Sequence, residues 1–548
     1  MNTHRVDRKR RAPRVLAALA LVAGAAAVAL PMTGTSAAPP APVTGPSNHA
    51  TPGPTTGHPH AGTGSGGHGA VGQTFTAPST GKVTSVSIVA AEHDDAPRIP
   101  SAGLTVSIHE VKYNGEPSTL LAGATIPTGT LAPTPTTQAV SFSSPAVVFA
   151  GRQYAIVLST GGTCCYGWYG SSASYAGGDD WVQNGGAWSN LAAGDGNPDR
   201  LFSVDITKGF VDTIFGDTLV DADVNDNPYN TQIWGGGSVY AGAGVNSTRA
   251  ALDMGLNWFP SGHLRALGSI KGDLNVQAAS VWAGGRNVRL GSYSHVTGDV
   301  YSCGTPGDVV LDHNQRVDGQ VRYQGVLRTP DSSAPFGWSL GNTVDAPCGG
   351  PADESMPAYA PIAGDYAGWT TITFNNAKIA NTCLAQRTAA ACNGIAPSSV
   401  VGALGFPSAT QSAGLRIRVT SGCGTPVTLG PGNVPIAGHV HIVTGCQILV
   451  PFQTGITAAG PGNHQVVLQT SRSTGNRDIS ILGQLGSSAP EVSLLFHAAT
   501  GEFATSGHMD IAGGGGAIYA NRVRFYGNTR IMRSSSLINN TPTAFTFS

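Results

Sequence analysis

Two aspartates, Asp273 and Asp299, each follow a glycine within the short apolar segments SIKGDL and VTGDV. Glycosidic hydrolysis needs two carboxylates facing one cleft, and a separation of about 5 to 5.5 Å suits the retaining mechanism. Adjacent rungs of a strand stack, roughly 4.8 Å apart, would meet that spacing. Like charges on successive rungs are also simply a solvated ladder, and this plainer reading outweighs the catalytic one. Lyase chemistry asks instead for a base and for a cation to hold the charge that develops. From Gln232 onward lysine occurs only at Lys271 and Lys378, and His313 beside Asp312 and the pair His439 and His441 complete the candidates. His439 and His441 leave one side of a strand together, as metal ligands do, but no third ligand is evident. GxSxG, P-loop and HExxH signatures are absent from the sequence.

Binding residues stand out more than catalytic ones. Asp221, Asp223, Asn225 and Asp226 put four oxygen-bearing side chains into DADVNDN, a set that could hold a structural calcium ion. The EF-hand glycine and distal glutamate are missing, so Asx side chains capping turns are the plainer account. No other cofactor is expected. Tyr166, Trp168, Tyr169, Tyr175, Trp181 and Trp188 crowd into one glycine-rich interval beside Asp179 and Asp180. If exposed, such rings could stack on sugar faces; the competing expectation is that they close a core.

The elements that would position these residues are legible from a repeat. Asn287 to Val300 and Asp308 to Val321 superimpose at an offset of 21 residues, matching Val288 with Val309, Leu290 with Leu311, Val296 with Val317, Gly298 with Gly319 and Val300 with Val321. Apolar residues on an alternating beat, repeated at this period, predict a parallel β-helix. Leu290 and Leu311 should then stack inside it, with Gln315 facing solvent. A looser copy, Ile270, Gly272 and Leu274, aligns with Val296, Gly298 and Val300 at an offset of 26, and on that alignment Asp273 and Asp299 are neighbours. These segments resemble the polymer-forming, bactofilin-like β-helices. The stretch from Val492 to Ile531 resembles the glycine-punctuated repeats of PilX-type pilus-associated proteins. The resemblances imply a solenoid fold and leave self-association open. The solenoid is expected over residues 232–548, with an unassigned insertion at about 327–407.

Before it, from Val71, short alternating runs separated by Gly or Pro predict an antiparallel β-sandwich over residues 71–207, followed by a junction at 208–231. QTFTAPSTGKVTSVSI, VSFSSPAVVFAGRQYAIVLS, YAGGDDWVQNGGAWS and DRLFSVDI closely resemble a jelly-roll-like accessory module of secreted bacterial proteins. The resemblance implies a module placed beside catalytic or adhesive domains and supplies no activity. The fold class expected is therefore all-β.

Basic residues from Arg5 to Arg14, the apolar run Val15 to Leu30 and small residues up to Ala37 have the order of a secretory signal over residues 1–37. Residues 38–70, rich in Pro, Gly and Thr, read as a disordered linker whose spaced histidines are solvated. A secreted or cell-surface location, without a membrane span after cleavage, follows. The alanine-rich signal and composition look actinobacterial. A net charge of −1 gives no electrostatic case for nucleic acid. Export makes the eight cysteines disulfide candidates. Cys423 and Cys446 lie about one coil apart, so they could bond rung to rung; Cys383 with Cys392 and Cys303 with Cys348 are the economical remaining pairs, and Cys164 and Cys165 stay open. The function expected is structural or adhesive, with the sandwich engaging a polysaccharide or cell-wall glycan. The alternative is a carbohydrate-active β-helix enzyme, a hydrolase or lyase, that carries an accessory binding module. The poverty of clustered acids and lysines on the solenoid weighs against catalysis.

Overall fold

The computed structural model describes residues 44–47, 60–61, 67–92, 101–112, 114–162, 166–171, 175, 177–191, 199–208, 212–222, 230–234, 237–244, 250–260, 262–329, 339–340, 343–345, 348–352, 354, 369–386, 414–436, 438–451, 453–459, 463–487 and 489–533. The signal segment, Cys164, Cys165, Cys392, Asp223, Asn225 and Asp226 lie outside them.

The N-terminal part is an antiparallel sandwich. One sheet is built on Gly81–Glu92, paired with Phe202–Lys208, Thr136–Val148 and Tyr166–Trp168. The other runs through Ala187–Asn190, Asp180–Asn184, Ala70–Thr76, Gln153–Ser159, Leu104–Val111 and Pro117–Ile126. Alternation places Val71, Phe75, Val86, Ile88, Val106, Ile108, Ile156 and Val204 between the sheets. The expected linker is partly strand: Thr44–Ser47 pairs with Phe202–Lys208, and His60–Ala61 pairs with Tyr166–Trp168. Those backbones gain ladder partners at the edge of a sheet that composition alone does not reveal.

From Asp212 onward the chain forms a parallel β-helix of three-sided coils, with 27 strands in one sheet among the described residues. It therefore begins inside the expected junction. The 21-residue repeat is confirmed rung by rung: Val288 lies over Val309, Leu290 over Leu311, Val296 over Val317 and Val300 over Val321. Their side chains, all 3% exposed or less, form the aliphatic columns of the interior. Gln315 does not face solvent. It is 2% exposed, and its side-chain amide donates to the carbonyls of Leu290, at 3.0 Å, and Gly291. It sits one residue after a turn whose left-handed corner is filled by Asn257, Asn275, Tyr293 and Asn314 on successive coils, and that next position points inward on every rung.

The order of the coils differs from the order of the chain. Asp212–Asp221 pairs on one side with the coils that follow it, through Ser238–Ala241 and Leu252–Leu256, and on the other with Met509–Phe525, near the end of the described chain. Thr231–Trp234 likewise pairs with Thr529–Arg533. The solenoid thus starts at a middle rung, grows to one end at Thr343–Asp345, resumes at the opposite end with Thr370–Phe374 and grows back until its last coil covers the first. The stretch 327–407, expected as an insertion, contains this change of ends. Its described residues 348–352 and 354 run back over the outer face. Cys348 is bonded to Cys303, Trp282 Nε1 donates to the Gly349 carbonyl at 2.7 Å, and Glu354 reaches Arg265 and, through its N–H, the Tyr240 hydroxyl at 3.0 Å.

The helix Ala377–Gln386 caps the far end. Ala377, Ala380, Cys383 and Leu384 enter the core, while Asn381 accepts from the Thr428 N–H and donates to the Pro426 carbonyl, both at 2.8 Å, supplying partners to an edge strand. Cys423 and Cys446 form the expected rung-to-rung disulfide, with Cα atoms 5.0 Å apart. Cys383 is also disulfide-bonded.

Candidate functional site

The carboxylate pair is not assembled. Coils in this region advance by 18 residues, so Ile270 lies over Val288 and Leu274 over Ser292, not over Val296 and Val300. Asp273 consequently stacks on Gly291, where even a Cβ would collide with the Asp273 carbonyl oxygen. Asp299 leads into a strand on a different side of the coil, Val300–Ser302. Both acids are taken up by local partners. Asp273 pairs with Lys271 at 3.2 Å, while Asp299 accepts from the Gln320 N–H at 2.9 Å and the Tyr301 hydroxyl at 2.8 Å.

The aromatic block is mostly interior. Tyr166, Trp168, Tyr169 and Trp181 are 6% exposed or less, and Tyr175 and Trp188 are half-buried. The first four cannot present a stacking face to a glycan, because their rings are packed against the sheets. Asp180 is likewise buried rather than solvated, in an ion pair with Arg200. A hydrogen-bonded network surrounds that pair: Arg200 Nη1 donates to the Trp168 carbonyl at 3.3 Å, its N–H to Gln73 at 2.7 Å, and Gln73 in turn to Asp199 at 3.0 Å. Burial raises the Asp199 pKa above the ordinary carboxylate range. The cluster is thus a closed polar network inside the module.

Of the candidate calcium ligands, Asp221 is fully buried in the solenoid, and the other three lie outside the described residues. No group of three or more His, Cys, Asp or Glu that could hold a metal occurs among the described residues. The histidines of GHVHIV separate: His439 stacks on Trp369 with ring centroids 5.7 Å apart, and buried His441 shares a 2.9 Å hydrogen bond with Gln469. Gln469 approaches His497 on the next rung at 3.4 Å. Burial lowers the His441 pKa to about 4, so the ring is neutral near pH 7.

The feature that sequence reading missed is where the sandwich meets the flank of the solenoid. One outward column of the parallel sheet reads Phe215, Tyr240, Arg265, Trp282, Tyr301 and Arg322 on six successive rungs. Phe149 of the sandwich lies on this column: the Arg265 guanidinium carbon is 4.0 Å from its ring centroid and 5.2 Å from that of Tyr240. Further along, a cleft of about 160 Å³ opens between the domains, lined by Val111, Lys112 and residues 151–153 on one side, Trp282, Tyr301 and Arg322 on the other, and Cys348 and Gly349. Burial opposes charge on Arg152, yet Glu110, 3.3 Å from its Nη2, holds the guanidinium pKa above its ordinary value. Burial also raises the Tyr301 pKa, keeping the hydroxyl protonated as the donor to Asp299. Residues scattered over more than 200 positions build this cleft, so no local motif could disclose it.

The chain is therefore an all-β protein, with an antiparallel sandwich against the flank of a parallel β-helix. No family, no curated protein and no solved structure matches it.

Proposed function

We propose that this is a secreted or surface-associated structural and adhesive protein, whose β-helix is a rigid shaft and whose sandwich domain engages glycan. The observation that carries the reading is the continuous, largely apolar interior of the stack, from Ile372 to Val321, with one disulfide tying coil to coil and another tying the outer strap to a coil. Such a body resists unfolding outside the cell, and its disulfides suit an oxidising compartment. No helix among the described residues is long and apolar enough to cross a membrane, which is compatible with an extracellular protein. The acids that could have supported hydrolysis serve instead as turn and ladder partners, which favours support over catalysis. Fractionation of producing cells, with retention of the full chain on insoluble cell-wall polysaccharide, tests the proposal. Recovery in the surface or medium fraction with retention is the expected result. Retention in the cytoplasm would refute it, and release of new reducing ends from the polysaccharide would favour the carbohydrate-active enzyme.

A further inference from the structure

We propose that the asparagine corner of the solenoid, with Tyr293 in its line, is a contact track for a straight, uncharged, β-linked polysaccharide. The proposal goes beyond the reading given above, because it puts a glycan contact on the shaft itself and does not depend on the sandwich. It starts from a residue that its coil does not need. Asn257, Asn275, Tyr293 and Asn314 hold the same corner on successive coils, all in the left-handed region, at φ 52°, 55°, 64° and 54°. Their N–H groups bond alike to the next coil: Asn257 to the Leu274 carbonyl at 3.0 Å, Asn275 to Ser292 at 2.8 Å and Tyr293 to His313 at 3.1 Å. Asparagine tolerates this backbone, whereas a bulky residue is strained in it. Asparagine also adds a side-chain ladder, Asn275 Nδ2 to Asn257 Oδ1 at 3.0 Å and Asn257 Nδ2 to Asn230 Oδ1 at 2.8 Å, and this ladder stops at Tyr293. Tyr293 is 61% exposed, and its hydroxyl makes no hydrogen bond among the described residues. A residue that departs from the local rule with no gain to the fold marks a surface with a task.

The surroundings decide the partner. A protein partner asks for a contiguous apolar patch, and Tyr293 has none beside it. Of the other exposed large apolar side chains, Leu120 is on the sandwich, Trp234 closes the strand that follows Asn230, and Val326 pairs with Val309 before the corner is reached. The neighbours of Tyr293 are polar: Gln277, whose amide donates to Asn275 at 3.3 Å, and the partly exposed Asp312 and His313 on the next coil. A single ring among amides matches a sugar, whose C–H face stacks on the ring while its hydroxyls exchange hydrogen bonds with the rim. Asn257 and Asn275 each use one N–H and one lone pair within the ladder and keep another of each for a ligand. Rungs roughly 4.8 Å apart set these groups at a pitch close to one sugar in an extended chain. Because the rungs stack in register, the track is straight and fits a straight β-linked polymer better than a curved α-linked one. Asn230, Asn257, Asn275, Tyr293 and Asn314 are all uncharged, which matches a neutral chain. The backbone ladder holds them in place, so little ordering cost remains on binding.

Calorimetry of the full chain with cellohexaose, and with maltohexaose as the curved α-linked control, tests the assignment. Cellohexaose should bind about tenfold more tightly than maltohexaose. Tyr293→Asn should act in two opposite directions. It should raise the melting temperature by a few degrees, because it relieves the backbone and continues the ladder. It should also weaken cellohexaose by roughly fivefold or more, because the stacking ring is gone. Tyr293→Trp, which keeps a ring, should retain the affinity. A melting temperature that falls with Tyr293→Asn would mean that the ring supports the coil, and would overturn the proposal. Cellohexaose binding unchanged by Tyr293→Asn, or maltohexaose bound as tightly, would overturn it too. Loss of binding with Trp188→Ala and none with Tyr293→Asn would move the contact to the sandwich, so the track proposal would fall and the sandwich reading would stand. If cellohexaose does not bind at millimolar concentration, the track proposal falls, and retention on insoluble cell-wall polysaccharide still decides the sandwich reading separately.

Discussion

A disulfide engineered across the seam of the solenoid should form spontaneously, because the chain's last coil lies directly on its first. Thr218 and Asn521 are 303 positions apart in sequence, yet the Thr218 hydroxyl lies 2.5 Å from Asn521 Oδ1. They lie on adjacent rungs, Thr218 within the irregularity of register between Gly216 and Leu219 that precedes the pairing of Leu219 over Arg522. Rung spacing of roughly 4.8 Å falls inside the Cα range a disulfide accepts. The native rung-to-rung bond Cys423–Cys446 has its Cα atoms 5.0 Å apart and shows that this backbone tolerates the link. Neither Thr218 nor Asn521 is buried, so Thr218→Cys with Asn521→Cys disturbs no core contact. Closing a loop of about 300 residues is worth on the order of 5 kcal/mol by the chain-entropy estimate, an upper bound because native strain subtracts from it. Peptide mapping without reductant should recover the 218–521 link, and the oxidised variant should melt several degrees above its reduced form. If the coils stacked in chain order, the two cysteines would sit near opposite ends of the solenoid and remain as free thiols in the monomer. That result would refute the seam.

Three further outcomes follow from the interior. Leu311→Asp puts an unpaired charge between aliphatic rungs and should cost about 4 kcal/mol in calorimetry of the solenoid transition. Gln315→Glu keeps the shape but turns a donor into a carboxylate facing the carbonyls of Leu290 and Gly291, so it should destabilise by about 3 kcal/mol at neutral pH and by less once acid protonates it. His441, with a folded pKa of about 4 against 6.5 when unfolded, is a base whose burial opposes protonation. Its neutral form therefore contributes stability that is fully present above pH 6.5 and is lost as pH falls towards 4, worth about 3 kcal/mol over that window. Thermal melts across this range should show His441→Gln losing less stability on acidification than the native chain; parallel curves would remove His441 as the cause.

What was legible in the sequence was whatever repeats locally. The apolar beat from Val288 to Val321 disclosed rungs because side-chain alternation in a buried strand writes itself into adjacent residues. The same beat failed to set the register of Asp273, because glycines had been aligned and glycine here marks close backbone approach on more than one side of the coil. The better landmark is the left-handed corner: Asn257, Asn275 and Asn314 mark equivalent turns, since asparagine tolerates positive φ, and the residue after each of them enters the core. Trp258, Val276 and Gln315 share that fate, and Gln315 escapes a hydropathy argument because the carbonyls of Leu290 and Gly291 accept from its side-chain NH2 inside the coil.

The seam shows why the remainder was not legible. An asparagine ladder runs from Asn257 to Asn230 at 2.8 Å and on from the Asn230 N–H to Asn528 at 3.3 Å, and this last step spans 298 positions. A repeat search slides neighbouring segments over one another, so it cannot see that the Asn-Thr at 528–529 and the Asn-Thr at 230–231 lie on consecutive rungs. Val220 lies between Leu252 and Val523, and Ile214 between Val239 and Ile518, so the seam carries the same columns as every other rung. Each coil supports only its neighbours, and the first coil is therefore the element through which both halves of the shaft are coupled. The sandwich enters the solenoid at this coil, which is why it rests against the flank and why its Phe149 and Arg152 can meet the column from Tyr240 to Arg322. The coils it lies against are the first and those that directly follow it in the chain, and their outward column is what brings Arg322 to the cleft that Lys112 and Arg152 line from the sandwich.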